Sequence, residues 1–200
     1  MVYWATGSFL QGRITRKPKN RTNEKEKTDL ESRFWSGRSK LSPVSLLEAF
    51  FQFHDLATVK ERLNRIMAYA VQGKVRISED PSVIFYFHQS IRSFILAGYG
   101  LRKKSGKWSV GTLPGQGSLL GLGSLSEEEY RDPVLVFRKA FQEYRPAQFL
   151  DFLADVVYFS MATFNHMPEG NIVGPYLHLC KMLDAARLIV ERRAQEGKNK

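Results

Sequence analysis

Two stretches of this chain set the same helix-turn-helix pattern 90 residues apart, and that repetition constrains the fold more than any other feature. In "SPVSLLEAFFQFHD", Ser42 and Pro43 stand as helix cap and first helical residue. Val44, Leu47 and Phe51 follow at helical spacing, widened by Leu46, Phe50 and Phe53. Asp55 caps a second helix, in which Val59, Leu63, Ile66 and Ala70 keep the period while Lys60, Glu61, Arg62, Asn64 and Arg65 fill the other face. In "DPVLVFRKAFQEYRPAQFLDFLADVVYFSM", Asp132 and Pro133 take the places of Ser42 and Pro43. Val134, Phe137 and Phe141 then fall on Val44, Leu47 and Phe51, and Phe149, Leu153 and Val156 fall on Val59, Leu63 and Ile66. Arg145 and Pro146 occupy the turn. Stripe, caps and turn agree without a gap, the mark of an internally repeated helical hairpin.

Each hairpin is followed by a third helical segment. Asp80 and Pro81 open the first, which is expected to end at Gly98; the second runs from about Pro175 into the charged "ERRAQEGKNK". Tyr86-x-His88 and Tyr176-x-His178 coincide at the 90-residue offset, but Ile91 and Phe94 then meet Lys181 and Asp184. An offset of 88 or 92 aligns the apolar stripes better, and at 88 Ile91, Phe94 and Ile95 meet Leu179, Met182 and Leu183, so the shared Tyr-x-His reads as a coincidence of two amphipathic helices.

The expected architecture is all-α: a bundle of about six helices, made of two related hairpin-plus-helix units. Unit 41–98 is joined to unit 126–195 by a Gly-rich connector, 99–125, and together they form a single helical domain, 41–200. Eight of the 15 glycines lie between Gly98 and Gly123, the composition of a long loop. Ser126 with Glu129 makes a capping box that restarts helix. Residues 1–40 are rich in Lys, Arg, Asn, Thr and Glu, as in a flexible basic arm.

Charge bears on partners. The chain carries 30 Lys and Arg against 20 Asp and Glu, a net +10, and +6 of that lies in the arm. Such a surplus favours nucleic acid or another acidic partner. Arg13, Arg16, Lys17, Lys19 and Arg21 of the arm, and Arg102, Lys103, Lys104 and Lys107 beside Trp108 in the connector, are the candidate contacts. Basic side chains meet phosphate, and an indole offers a stacking face. "GLRKKSGKW" is not a phosphate loop, since five residues separate Gly100 from Gly106 and Trp108 stands where a metal-binding hydroxyl is required.

Little else points to chemistry. His88, His178, Asp151 and Asp155 are the weak candidates for a nuclease-like or metal-dependent site. Asp151 and Asp155 sit on a helix that reads as apolar nearly all round, which predicts partly buried carboxylates paired with arginines such as Arg65 or Arg92. His178-x-Cys180 lacks the spacing of helical metal ligands, and no metal or other cofactor is expected. Phe50, Phe53 and Phe85 are candidates for self-association, the route to a homo-oligomer. The lone Cys180 fits a reducing cytoplasm, the opening "MVYWATGSFLQG" reads poorly as a signal peptide, and "VVYFSMATF" is too short to span a membrane. The expected function is therefore non-enzymatic: a helical interaction or scaffold protein with a basic arm.

Overall fold

The computed structural model describes residues 42–103 and 123–198, and within them the chain is all-helical. Seven helices are described: α1 (Pro43–Phe53), α2 (Leu56–Gln72), α3 (Pro81–Leu101), α4 (Glu127–Arg131), α5 (Val134–Glu143), α6 (Pro146–Met161) and α7 (Val173–Lys198). The basic arm and most of the connector lie outside the described residues. No described helix is long and apolar enough to cross a membrane.

Capping explains where the helices begin. The Ser42 side chain accepts from the Ser45 N–H at 3.2 Å, Asp55 from Thr58 at 3.1 Å, and Asp80 from Ser82 at 2.7 Å. Asp132 accepts from Val134 at 3.2 Å, with Pro133 already at helical dihedrals. At α6 the roles reverse: Arg145 has no capping oxygen, and the Gln148 side chain instead accepts from the Arg145 N–H at 2.8 Å.

The two helix-to-helix turns share one geometry. His54 (φ −130°, ψ 127°) and Asp55 (φ −77°, ψ 141°) are matched by Tyr144 (φ −124°, ψ 132°) and Arg145 (φ −69°, ψ 155°). In each turn the first residue's N–H still closes on the preceding helix, His54 on Phe50 and Tyr144 on Ala140. The linked helices then diverge and pack mainly on others. α1 lies on α3 and α5 on α7, while α2 packs most extensively on α6 of the other unit. α3 against α6 is mirrored by α2 against α7, and α1 against α7 by α3 against α5.

Burial follows the apolar stripes. Val44, Leu47, Val59, Leu63 and Ile66 are buried, and so are Val134, Phe137, Phe149, Leu153 and Val156. In the third helices the 88-residue offset brings buried onto buried: Ile91, Phe94, Ile95, Ala97 and Leu101 against Leu179, Met182, Leu183, Ala185 and Ile189. Phe50, Phe87, Phe94, Phe137 and Phe149 are the largest fully buried side chains.

Three expectations need correction. Phe50 is no docking aromatic; it is fully buried, its ring 5.1 Å from Phe94. α6 is amphipathic: it buries Phe149, Phe152, Leu153, Val156 and Phe159 but exposes Asp151, Ala154, Asp155 and Tyr158. Leu150, Val157 and Tyr158 made it read as apolar all round, and Arg65 pairs with Glu61 and Glu79 instead of an α6 carboxylate. Nor does α3 stop at Gly98. It continues to Leu101 because its glycines admit neighbours: a Cβ on Gly98 would stand 2.8 Å from the Phe137 ring, and one on Gly100 2.8 Å from Pro43.

That contact reverses an ordinary rule. Gly→Ala inside a helix stabilises by about 1 kcal/mol on propensity, but Gly98→Ala is expected to destabilise by about 1–2 kcal/mol through overpacking against the buried Phe137. Urea unfolding of Gly98→Ala, alone and combined with Phe137→Leu, measures this; the double variant should recover much of the loss.

Candidate functional site

The one concentration of buried charge among the described residues lies where α4 meets α5 and α7, with Glu129, Asp184 and Arg192 buried there. α4 is only five residues long, too short to be stable alone, and it is fastened from three sides. The Ser126 side chain accepts from the Glu129 N–H at 3.2 Å, and the Glu129 carboxylate accepts from the Ser126 N–H at 3.0 Å. Glu129 is thereby turned inward and buried, where Lys139 of α5 (3.2 Å) and Lys181 of α7 (3.1 Å) reach it. Arg192, also buried, donates to the Tyr130 and Arg131 carbonyls at the end of α4. Asp184 accepts from both the N–H and the hydroxyl of Ser124 and pairs with Lys60 of α2. Gly123, at φ 58°, rests directly on that carboxylate.

Burial alone would raise the Glu129 carboxyl, but the Ser126 N–H and the two ammonium groups outweigh it and hold the group down at about 2. Lys139 is pushed up in return, chiefly by its bond to Glu129. Beside this hub opens a cleft of about 490 Å³, lined by Glu129, Val136, Lys139, Gln142, Glu143, His178 and Lys181. His178 Nε2 lies 2.8 Å from a Glu143 oxygen, which lowers the Glu143 carboxyl, and the Tyr144 ring meets the imidazole edge-on at 5.6 Å. The Tyr144 hydroxyl accepts from the Asn171 side chain at 3.2 Å, and Asn171 in turn accepts from the Gly174 N–H. Lys139 and Lys181 are thus balanced by Glu129, and His178 faces Glu143. Polar contacts in the cleft thus join α4, α5 and α7.

The four candidate catalytic residues are not brought together. His178 lies in the cleft; His88 is half-buried on α3, its imidazole pushed down first by burial and then by the Arg92 charge. Asp151 and Asp155 face outward on α6. Among the described residues no hydrogen bond or ion pair joins any two of them, and no three His, Cys, Asp or Glu side chains are placed to hold a metal ion. Tyr86 is exposed whereas the Tyr176 hydroxyl donates to Asn64 at 3.5 Å, so the two Tyr-x-His segments meet different surroundings.

Of the proposed nucleic-acid contacts, Arg102 is half-buried at the end of α3, stacked 3.3 Å over the Tyr99 ring and bonded to the Tyr99 carbonyl. Lys103 is exposed. Arg13, Arg16, Lys17, Lys19, Arg21, Lys104, Lys107 and Trp108 lie outside the described residues. Sequence reasoning missed the hub itself. Its signal was present in the capping box, which places Glu129 in the first turn, and in Lys181, Asp184 and Arg192, charges on or beside the buried stripe of α7.

No protein-family model matches this chain, and no curated protein or solved structure matches it either.

The hub has a measurable pH signature. Glu129 is depressed in the folded state from its ordinary 4.5, so its stabilisation is complete above that value and is lost as the pH falls toward about 2. Glu129→Gln keeps an acceptor for Ser126 but removes the charge. It should lower unfolding stability near neutral pH by about 1–3 kcal/mol, with the deficit shrinking at about pH 2.5. Denaturant titrations at both pH values check this, and a deficit independent of pH would show that the charge does not matter.

Proposed function

We propose that the protein is a non-enzymatic helical interaction protein: a bundle that acts as a scaffold, with a basic arm and connector that attract an acidic partner, nucleic acid foremost. One observation carries the reading. The described residues hold 17 Lys and Arg against 16 Asp and Glu, a net of only +1, whereas the rest of the chain holds 13 against 4. Nearly all of the surplus charge therefore belongs to segments outside the described helices. Within the bundle most of the exposed and half-buried cations face a carboxylate, as in Arg62 and Arg65 with Glu79, Arg193 with Glu48, and Lys139 and Lys181 with Glu129.

A rival hydrolytic reading would draw on His88, His178, Asp151 and Asp155, but acid-base or metal chemistry needs those groups within reach of one substrate atom. Their dispersion over α3, α6 and α7 favours the binding role. A cytoplasmic setting fits as well, since the single half-buried Cys180 enters no disulfide.

Binding of labelled duplex and single-stranded DNA and RNA across a salt series tests the proposal. The full chain should bind with an affinity that falls steeply with salt. Replacing Arg13, Arg16, Lys17, Lys19 and Arg21 by Gln should weaken binding and flatten the slope by up to about 4 for a duplex. Arg102→Gln should change little, its guanidinium already lying on Tyr99. Absence of binding at low salt would reject nucleic acid as the partner.

A further inference from the structure

The two helix-to-helix turns share a side-chain contact as well as a backbone. In each, the ring of the first turn residue reaches the third helix of its own unit: His54 stands edge-on to Phe87 of α3 at 6.4 Å, and Tyr144 edge-on to His178 of α7 at 5.6 Å. Both contacts contain an imidazole, on the turn in the first unit and on the third helix in the second. The half-buried His54 ring also lies 4.8 Å from the fully buried Phe50.

The charges around the two imidazoles are opposite. His178 Nε2 lies 2.8 Å from a Glu143 carboxylate oxygen. Among the described residues the His54 ring enters no hydrogen bond or ion pair, and the charge that acts on it is Arg62 of α2, whose guanidinium stands 5.6 Å over the same Phe87 ring. The carboxylates of this corner are otherwise engaged. Glu79 holds both Arg62 and Arg65, and Asp55 accepts from the Thr58 N–H as the cap of α2. α7, which also packs on α1, brings Arg187 to the Phe51 ring and Arg193 to Glu48. Burial first and Arg62 second push the His54 imidazole down from its ordinary 6.5, so the folded turn favours the neutral ring. That contribution is complete above 6.5 and is lost as the pH falls below it.

We propose that the α1–α2 turn is an acid-sensitive latch: a proton on His54 sets a second cation beside Arg62 against the Phe87 ring, and the turn lets go of α3. The α5–α6 turn, whose neighbouring imidazole faces a carboxylate, holds. Acid therefore loosens the first unit ahead of the second. The device belongs to the bundle itself and does not depend on what the chain binds.

Amide exchange of the full chain, read by mass spectrometry at about pH 7.5 and about pH 5.5 and corrected for the intrinsic effect of pH on exchange, follows the two turns separately. Protection across His54–Asp55 should fall at least about threefold more than protection across Tyr144–Arg145. His54→Phe keeps a ring against Phe50 and Phe87 but takes up no proton, and should remove this difference while leaving protection at the higher pH unchanged. Arg62→Gln should reduce it. His88→Gln should preserve it, since the His88 ring does not meet His54. In the unaltered chain, the His54 imidazole resonance should titrate below 6.5. The proposal is overturned by a His54 that titrates at or above 6.5, by equal losses at the two turns, by an acid response that survives His54→Phe, or by one that disappears with His88→Gln.

Discussion

Two residues of extended backbone, placed between one helix and the next, govern this molecule. The extended backbone of His54–Asp55 and Tyr144–Arg145 directs each second helix away from the first, and the linked helices pack little on one another. α2 and α6 must then bury their stripes elsewhere. The surface available to each is chiefly the other, and each also packs against the other unit's third helix. The position of α5 on α7, and hence the cleft between them, follows from the same geometry.

Much of this was legible in the residues. Caps at Ser42, Asp55, Asp80 and Ser126 announce helix starts because a short polar side chain before an apolar period satisfies backbone N–H groups that otherwise have no partner. Periodicity told most of the residues buried on α1, α2 and the third helices, although Phe53, counted with the α1 stripe, is exposed and Phe51 is half-buried, and it left the third helices' register open between 88 and 92. It could not tell what lies opposite. Gly98 read as a terminator because a missing Cβ serves a left-handed turn and a close approach equally well, and only the neighbour Phe137 decides between them. Asp151 and Asp155 read as partly buried because Leu150, Val157 and Tyr158 count as apolar wherever on the helix they stand.

The buried charges have a different logic. Glu129, Asp184 and Arg192 interrupt what would otherwise be continuous apolar packing. Breaking any one pair would leave a charge in a poorly solvated place, a larger loss than the pair's net contribution. Each instead secures a piece of backbone that lacks packing of its own. Arg192 closes the carbonyl end of α4, Glu129 anchors its first turn, and Asp184 holds Ser124 just ahead of it. A one-turn helix with few apolar contacts persists because polar groups from longer helices complete it.

The pairing of α2 with α6 has a consequence for synthesis. Helical proteins commonly assemble from neighbours in the chain, which makes their folding fast. Here α1 can meet α3 soon after both leave the ribosome, but Val59, Leu63 and Ile66 find α6 only after α3, α4 and α5 have been made. Until then the nascent chain displays a bare apolar ridge, the condition under which unfinished proteins recruit chaperones or stick to one another. The contact that organises the finished bundle is thus among the last to become available while the chain is being translated.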